Sequence, residues 1–151
     1  MLLHDKLKSY NIILASASPR RRELLRATGI EYSLAPKFEC EELYPATLAA
    51  EDVAAYLSEL KSRAYPTPLA INDILITADT VVIAGGEILG KPKDRNDAIR
   101  MLRLLSGAKH EVVTGVTLRT RSKRVSFSCH SSVCFREISQ EEIEYYIDTY
   151  H

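Results

Sequence analysis

Short apolar runs suited to buried strands alternate with segments of helical spacing along most of this chain, which restricts it to an α/β fold. Asn11 to Ala15 is such a run, and the Ser18-Pro19 pair after it is a helix start, a capping serine with proline at the first helical position. The pattern predicts a strand, a tight loop, and a helix from Pro19 to about Thr28 with Leu24 and Leu25 inward. A short strand over Glu31 to Leu34 follows. A loop rich in acid and proline, Pro36 to Pro45, then leads to a helix over about 50–64 with Val53, Ala54, Leu57 and Leu60 on one face. Asp73 to Ala78 is a buried strand that places Asp79 at its exit. Val81 to Ala84 and Glu87 to Leu89 make a hairpin through Gly85-Gly86. Asp94 caps a helix striped by Ala98, Met101, Leu102 and Leu105. Glu111 to Leu118 and Val125 to Arg136 form an antiparallel pair, and Ser139 to Glu142 is a capping box opening a helix striped by Ile143, Tyr146, Ile147 and Tyr150. The early strands need helical crossovers and the later ones pair as hairpins. The expectation is therefore a mixed, elongated central sheet flanked by helices.

At 151 residues this is the length of one domain. Twenty basic residues balance twenty acidic ones, so no global field draws the chain to nucleic acid or an anionic membrane, and any anion site has to be local. No apolar stretch approaches the roughly 20 residues of a membrane span, and the start, Met1-Leu2-Leu3-His4-Asp5-Lys6, is unlike a secretory signal, so the expected compartment is the cytoplasm. Cys40, Cys129 and Cys134 are odd in number and lack C-x-x-C spacing, as expected of reduced thiols.

Several residues could carry chemistry. Ser16 to Arg22 sets hydroxyls and three consecutive arginines at a helix N-terminus, where the dipole favours an anion and disfavours cations without a counter-charge. A phosphate bound there, with Arg20 as its ligand, is one reading; a solvated, ordinarily capped helix is the other. Asp79 at a strand exit suits a metal-holding or water-activating carboxylate, or a turn. Glu39, Glu41 and Glu42 are either a solvated acidic loop or the source of one oxygen ligand for Mg²⁺ beside Asp79. Lys61 ends a helix, where cations are favourable anyway, and Lys91 is held between Gly90 and Pro92 in a rigid turn suited to a phosphate. The basic tip over 119–124 lacks interleaved aromatics and reads as a solvated hairpin end rather than a nucleic-acid contact. The sequence has no Walker loop, no dinucleotide fingerprint, no serine-hydrolase elbow and no paired histidines at metal spacing.

Taken in order, Ile13-Leu14-Ala15-Ser16-Ala17-Ser18-Pro19-Arg20-Arg21, Ala78-Asp79-Thr80-Val81-Val82, Leu89-Gly90-Lys91-Pro92 and Leu105 to Val116 resemble the Maf family of nucleoside triphosphate pyrophosphatases. Phe135-Arg136-Glu137-Ile138-Ser139 and Tyr146-Ile147 extend the likeness. The resemblance implies one Maf/ITPase-like domain over residues 1–151 that hydrolyses a nucleoside triphosphate between its α- and β-phosphates with Mg²⁺ or Mn²⁺. Asp79 matches the family's catalytic carboxylate. Glu42, Lys61 and Lys91 match other polar active-site positions, with Glu42 and Asp79 expected on the metal, while Ser16 and Arg20 match the phosphate-binding loop. The Ser-Pro-Arg-Arg and Ala-Asp-Thr motifs resemble the branch acting on dTTP and UTP, and Arg20 and Thr80 match two positions linked to that preference. The family often forms a homodimer. Its further Lys-Ala-Gly-Ala-Tyr-Gly-Ile-Gln-like motif, with the strand and helix after it, is not in this sequence, which implies a more open cleft. Two alternatives from other classes are a nucleotide-binding protein with impaired turnover and a regulator of septum formation.

Overall fold

In the computed structural model, which describes residues 2–150, the first strand forms where the apolar run is unbroken. A short helix α1 (Leu3–Lys6) and a 3-10 turn (Leu7–Ser9) lead into β1 (Asn11–Leu14), whose Ile12, Ile13 and Leu14 are all buried. Ser18 caps α2 (Pro19–Ala27) by accepting the Arg21 amide at 3.3 Å. β2 is shorter than expected, Ser33–Leu34 alone; both residues are exposed, and they are held to β1 by the parallel ladder and by the Ser33 hydroxyl, which donates to Ile12 O at 3.4 Å. The expected helix over 50–64 is a 3-10 turn (Ala50–Asp52) running into α3 (Val53–Ala64).

The sequence reading ended a strand at Ala78 and put Asp79 at its exit. The structure corrects this: β3 is continuous over Asp73–Ala84, and Asp79 lies inside it. β3 changes neighbours along its length. Asn11 to Leu14 pair in parallel with Asp73 to Ile76, and β4 (Glu87–Leu89) pairs with Val82 to Ala84 across the Gly85-Gly86 turn. Both glycines have positive φ, 57° and 75°, as a two-residue hairpin requires. On the other edge β5 (Lys109–Arg119) pairs with β3 from Leu75↔Arg119 to Ile83↔Glu111, and this ladder carries the polar Asp79 and Thr80 through the strand. β6 (Arg124–Cys134) completes the six-stranded mixed sheet, ordered β2-β1-β3-β5-β6 with β4 beside β3.

α3 covers one face. Residues directly opposite in the β3–β5 ladder share a face, so Thr77, Asp79 and Val81 point the same way as Thr117, Gly115 and Val113. Val53, Ala54 and Leu57 pack there on Val81 and Val113. Gly115 allows this: a Cβ on it would lie 2.2 Å from Ala55 N and 2.3 Å from Ala54 C, so the helix backbone rests directly on the strand.

α4 (Arg95–Leu105) is capped by Asp94, which accepts the Asp97 amide at 2.8 Å. Its expected apolar stripe is only partly buried, because it faces a groove shared with α5 (Gln140–Thr149) and not the sheet core. In α5 only Ile143 is buried; Tyr146 and Tyr150 are exposed. Leu24 is likewise exposed, against the expectation that it faces inward. All three cysteines are free, and among the described residues no helix is long and apolar enough to cross a membrane.

The capping box at α5 is present: Ser139 Oγ accepts the Glu142 amide at 3.1 Å, and Glu142 Oε1 accepts the Ser139 amide at 3.2 Å. The Arg136 guanidinium, and then the Ser139 amide, hold the Glu142 carboxyl at about 2, below the ordinary 4.5. A carboxyl lowered in the folded state contributes its full stabilisation above the unfolded value and loses it as pH falls toward the folded one. The start of α5 is therefore expected to loosen between about pH 4.5 and about 2. Amide exchange at residues 140–144 reads this, and Glu142→Gln should remove the acid-dependent step while weakening the cap at neutral pH.

Candidate active site

β1 stops at Leu14, with Ala15 adding one further bond, its amide donating to Ile76 O at 3.0 Å, and β4 begins pairing only at Val82. Between these two partners the edge of β3 from Thr77 to Val81 has no neighbouring strand. This gap opens beyond the carboxyl end of a parallel strand, where open α/β sheets place their ligands. Side chains occupy it instead of a ladder. The carbonyl of Ala78 accepts Arg21 Nη1 at 3.1 Å and lies 3.4 Å from Lys61 Nζ.

Each of these groups is placed by its own element. The Ser18 cap starts α2 so that Arg21 turns back over the sheet, where Nη1 also reaches Ser16 Oγ at 3.3 Å and Nη2 donates to Thr80 Oγ1 at 3.0 Å. The Thr80 and Thr114 hydroxyls share a hydrogen bond of 3.1 Å. From the other face, the last turns of α3 bring Lys61 Nζ to 3.6 Å from Asp79 Oδ1 and 3.1 Å from Glu42 Oε1. Asp79 Oδ1 also accepts the Thr80 amide at 2.8 Å. The Lys61 and Asp79 side chains are 21% and 17% exposed, so their interaction is only partly screened, whereas Glu42 is 55% exposed at the rim.

The structure thus brings together Ser16, Glu42, Lys61, Asp79 and Thr80. It does not bring Arg20 to them: that side chain is 76% exposed and faces Glu23 at 3.9 Å. Lys91 is exposed on the loop after β4, whose Gly90 and Pro92 line a groove beside α4. Sequence reasoning missed Arg21. Residues four apart share a helix face, so Arg20 goes with exposed Leu24 and Arg21 with the partly buried Leu25. Cys40 was missed as well; burial first, and then the Glu42 carboxylate, push its thiol upward, so it lines the cleft as a neutral group.

The cleft has a volume of about 550 Å³ and is walled by Ser16, Ser18, Arg21, Arg22, Glu42 and Lys61 among others. A larger groove of about 840 Å³ lies between α4 and α5, but its lining is mainly apolar, and its Arg95 and Asp148 are paired with each other at 3.1 Å. Volume alone therefore does not mark the site; convergent charge does. Asp79 and Glu42 both reach one ammonium group and so can share one cation. Among the described residues no cluster of three His, Cys, Asp or Glu forms a self-contained metal cage. Two carboxylates are nevertheless enough for Mg²⁺, which takes its other ligands from water and phosphate oxygens.

Fold and site together define a mixed α/β protein with a charged cleft at a gap in its sheet. The chain belongs to the Maf family: the family described as Maf-like protein matches residues 11–151, in agreement with the motifs read above. It is 49% identical over 148 residues to a dTTP/UTP pyrophosphatase of Porphyromonas gingivalis, covering 97% of this chain and 74% of that one. Proteins of the same name from Bacteroides thetaiotaomicron and Flavobacterium johnsoniae are 46% and 39% identical, covering 95% and 99% of this chain and 75% and 76% of theirs. A HAM1 protein from Coxiella burnetii has a similar structure, with a TM-score of 0.50 over 82% of this chain and 70% of that one; at 15% identity the likeness is one of fold.

Proposed function

We propose that this chain is a nucleoside triphosphate pyrophosphatase that hydrolyses dTTP and UTP to the monophosphate and pyrophosphate. The observation that carries the reading is the convergence of Arg21, Lys61 and Asp79 on the Ala78–Thr80 segment, in a chain so similar to proteins named dTTP/UTP pyrophosphatase. A triphosphate brings several negative charges to the cleft, and the Arg21 guanidinium and Lys61 ammonium supply fixed counter-charge without reorganising. Asp79, held by the Thr80 amide, is the carboxylate that directs water to phosphorus. Asp79 and Glu42 would hold a divalent cation, which when bound supplies Lewis-acid polarisation of the phosphate oxygens. Lys61, in reach of both carboxylates, would also face the phosphates of a substrate held beside them. Ser16, Thr80 and Lys91 complete the substrate contacts in this reading. We place the protein in the cytoplasm on its free thiols, and read it as a homodimer on the family resemblance.

The test is stoichiometric release of monophosphate and pyrophosphate from dTTP and UTP with Mg²⁺ or Mn²⁺, against a panel of other nucleotides. Binding without release would make the chain a nucleotide-binding protein instead. The two arginines separate further. Arg21 makes two hydrogen bonds to the gap in β3 and a third to Ser16, so Arg21→Ala should lower kcat/KM by roughly 10²-fold. Arg20 is solvated, and its long exposed ion pair costs little to break. Arg20→Ala should therefore leave kcat/KM within about tenfold of the parent. Steady-state kinetics on both variants read the difference.

A further inference from the structure

The interface between α3 and the sheet changes character along the helix. Around Val53, Ala54 and Leu57 it is apolar, but near the site it holds four polar side chains, Ser58, Ser62, Thr77 and Thr117, all fully buried. The Ser58 hydroxyl donates to Ala55 O at 2.7 Å, which uses its only proton. At the 2.7 Å contact between Ser58 and Thr117 the donor is therefore Thr117, and at the 2.8 Å contact between Thr117 and Ser126 it is Ser126. The result is a one-way chain from Ser126 on β6 through Thr117 on β5 to Ser58 on α3. The Thr77 hydroxyl adds a 2.7 Å bond from β3 to the Ser58 carbonyl. One turn further on, Arg119 Nε donates to Ser62 Oγ and its Nη2 to Ser62 O, both at 2.9 Å.

We infer that this buried hydroxyl chain is a positioning device for the reaction: Ser58 and Thr117, with Thr77, fix the place of α3 along the sheet so that Lys61 comes to rest between Asp79 and Glu42. The inference rests on the function proposed above for that site. An apolar interface resists separation but not sliding, because dispersion contacts have little direction, whereas short hydroxyl bonds constrain both. Ser58 lies one turn before Lys61, and Ser62 is its neighbour in sequence. A helix displaced along β3 would take the ammonium from its 3.6 Å contact with Asp79. Stability alone does not call for this arrangement, because replacing both partners of a buried hydrogen bond by apolar groups of similar shape is close to neutral.

That neutrality supplies the experiment. The double variant Ser58→Ala/Thr117→Val removes both hydroxyls of the bond that joins α3 to β5, leaving the Thr77 bond to the Ser58 carbonyl, while keeping the shape of the interface. It is expected to melt within a few degrees of the parent, yet to lose roughly tenfold to a hundredfold in kcat with KM for dTTP changed less than about threefold. Thr117→Ser keeps the hydroxyl and should retain the parental kcat. Parental kcat in the folded double variant, or loss of kcat in Thr117→Ser as large as in the double variant, overturns the inference. A crystal structure of the double variant reads the same point without turnover: the Lys61–Asp79 separation should grow by about 1 Å, and an unchanged separation overturns it equally. If the parent itself releases no pyrophosphate, the proposed reaction fails on its own and this distance remains the deciding measurement.

Discussion

Asp79→Asn should abolish measurable pyrophosphate release, lowering kcat by on the order of 10³-fold, while leaving the melting temperature nearly unchanged. The amide is isosteric, and its oxygen can still accept the Thr80 amide that the carboxylate accepts at 2.8 Å, so the strand has no reason to rearrange. What disappears is charge. Lys61 loses the partner at 3.6 Å and keeps Glu42 at 3.1 Å and the Ala78 carbonyl at 3.4 Å, and the two-carboxylate set that could share a cation is reduced to one carboxylate at the solvent rim. In the proposed reaction, directing water and holding the metal would both fall on the removed group, so the effect should appear in kcat at saturating metal as well as in the metal concentration needed. A variant keeping more than a tenth of the parental kcat would move the reaction away from Asp79.

The second large effect is on folding. Gly115→Ala places a Cβ at 2.2 Å from Ala55 N and 2.4 Å from Ala54 O, and these are backbone atoms that cannot swing aside. Overpacking a core typically costs about 1–3 kcal/mol, and a clash that must lift a whole helix belongs at or above the upper end. For a chain of this size about 3 kcal/mol corresponds to a fall of roughly 10 °C in melting temperature. Ala55→Gly should not rescue it, since the obstruction is the helix main chain. Calorimetry of the single and double variants checks both points. The residual folded fraction should turn over slowly as well, because Gly115 pairs with Asp79 in the ladder and the displaced helix carries Lys61.

Features set by neighbours in the chain were legible from sequence. The Ser18 cap, the Gly85-Gly86 hairpin, the Asp94 cap and the Ser139 capping box all rest on chemistry within four residues, and each occurs as expected. Features set by distant partners were not. Asp79 and Thr80 interrupt an apolar run and read as a strand exit, but β5, pairing from more than thirty residues away, carries β3 straight through them. Gly115 stood within a recognised motif with no physical reason attached until a helix was seen resting on it. For the site, residue types were legible and orientation was not. Ser16, Glu42, Lys61, Asp79 and Thr80 converge, but choosing Arg21 over Arg20 required knowing which side of α2 meets the sheet. The hydroxyls of Ser58, Thr77 and Thr117 leave no periodic signal, because threonine in a strand and serine in a helix look like ordinary filler until they face one another.

The interruption along the edge of β3 has a consequence for how this protein behaves in a crowded solution. A bare stretch of strand is a template onto which a foreign chain can add itself, and proteins usually defend such places with charge or with brevity. Here the same guanidinium and ammonium that would greet a substrate also stand guard over the Ala78 carbonyl. The two side chains of the proposed site are thus also the ones that cover the unpaired strand edge.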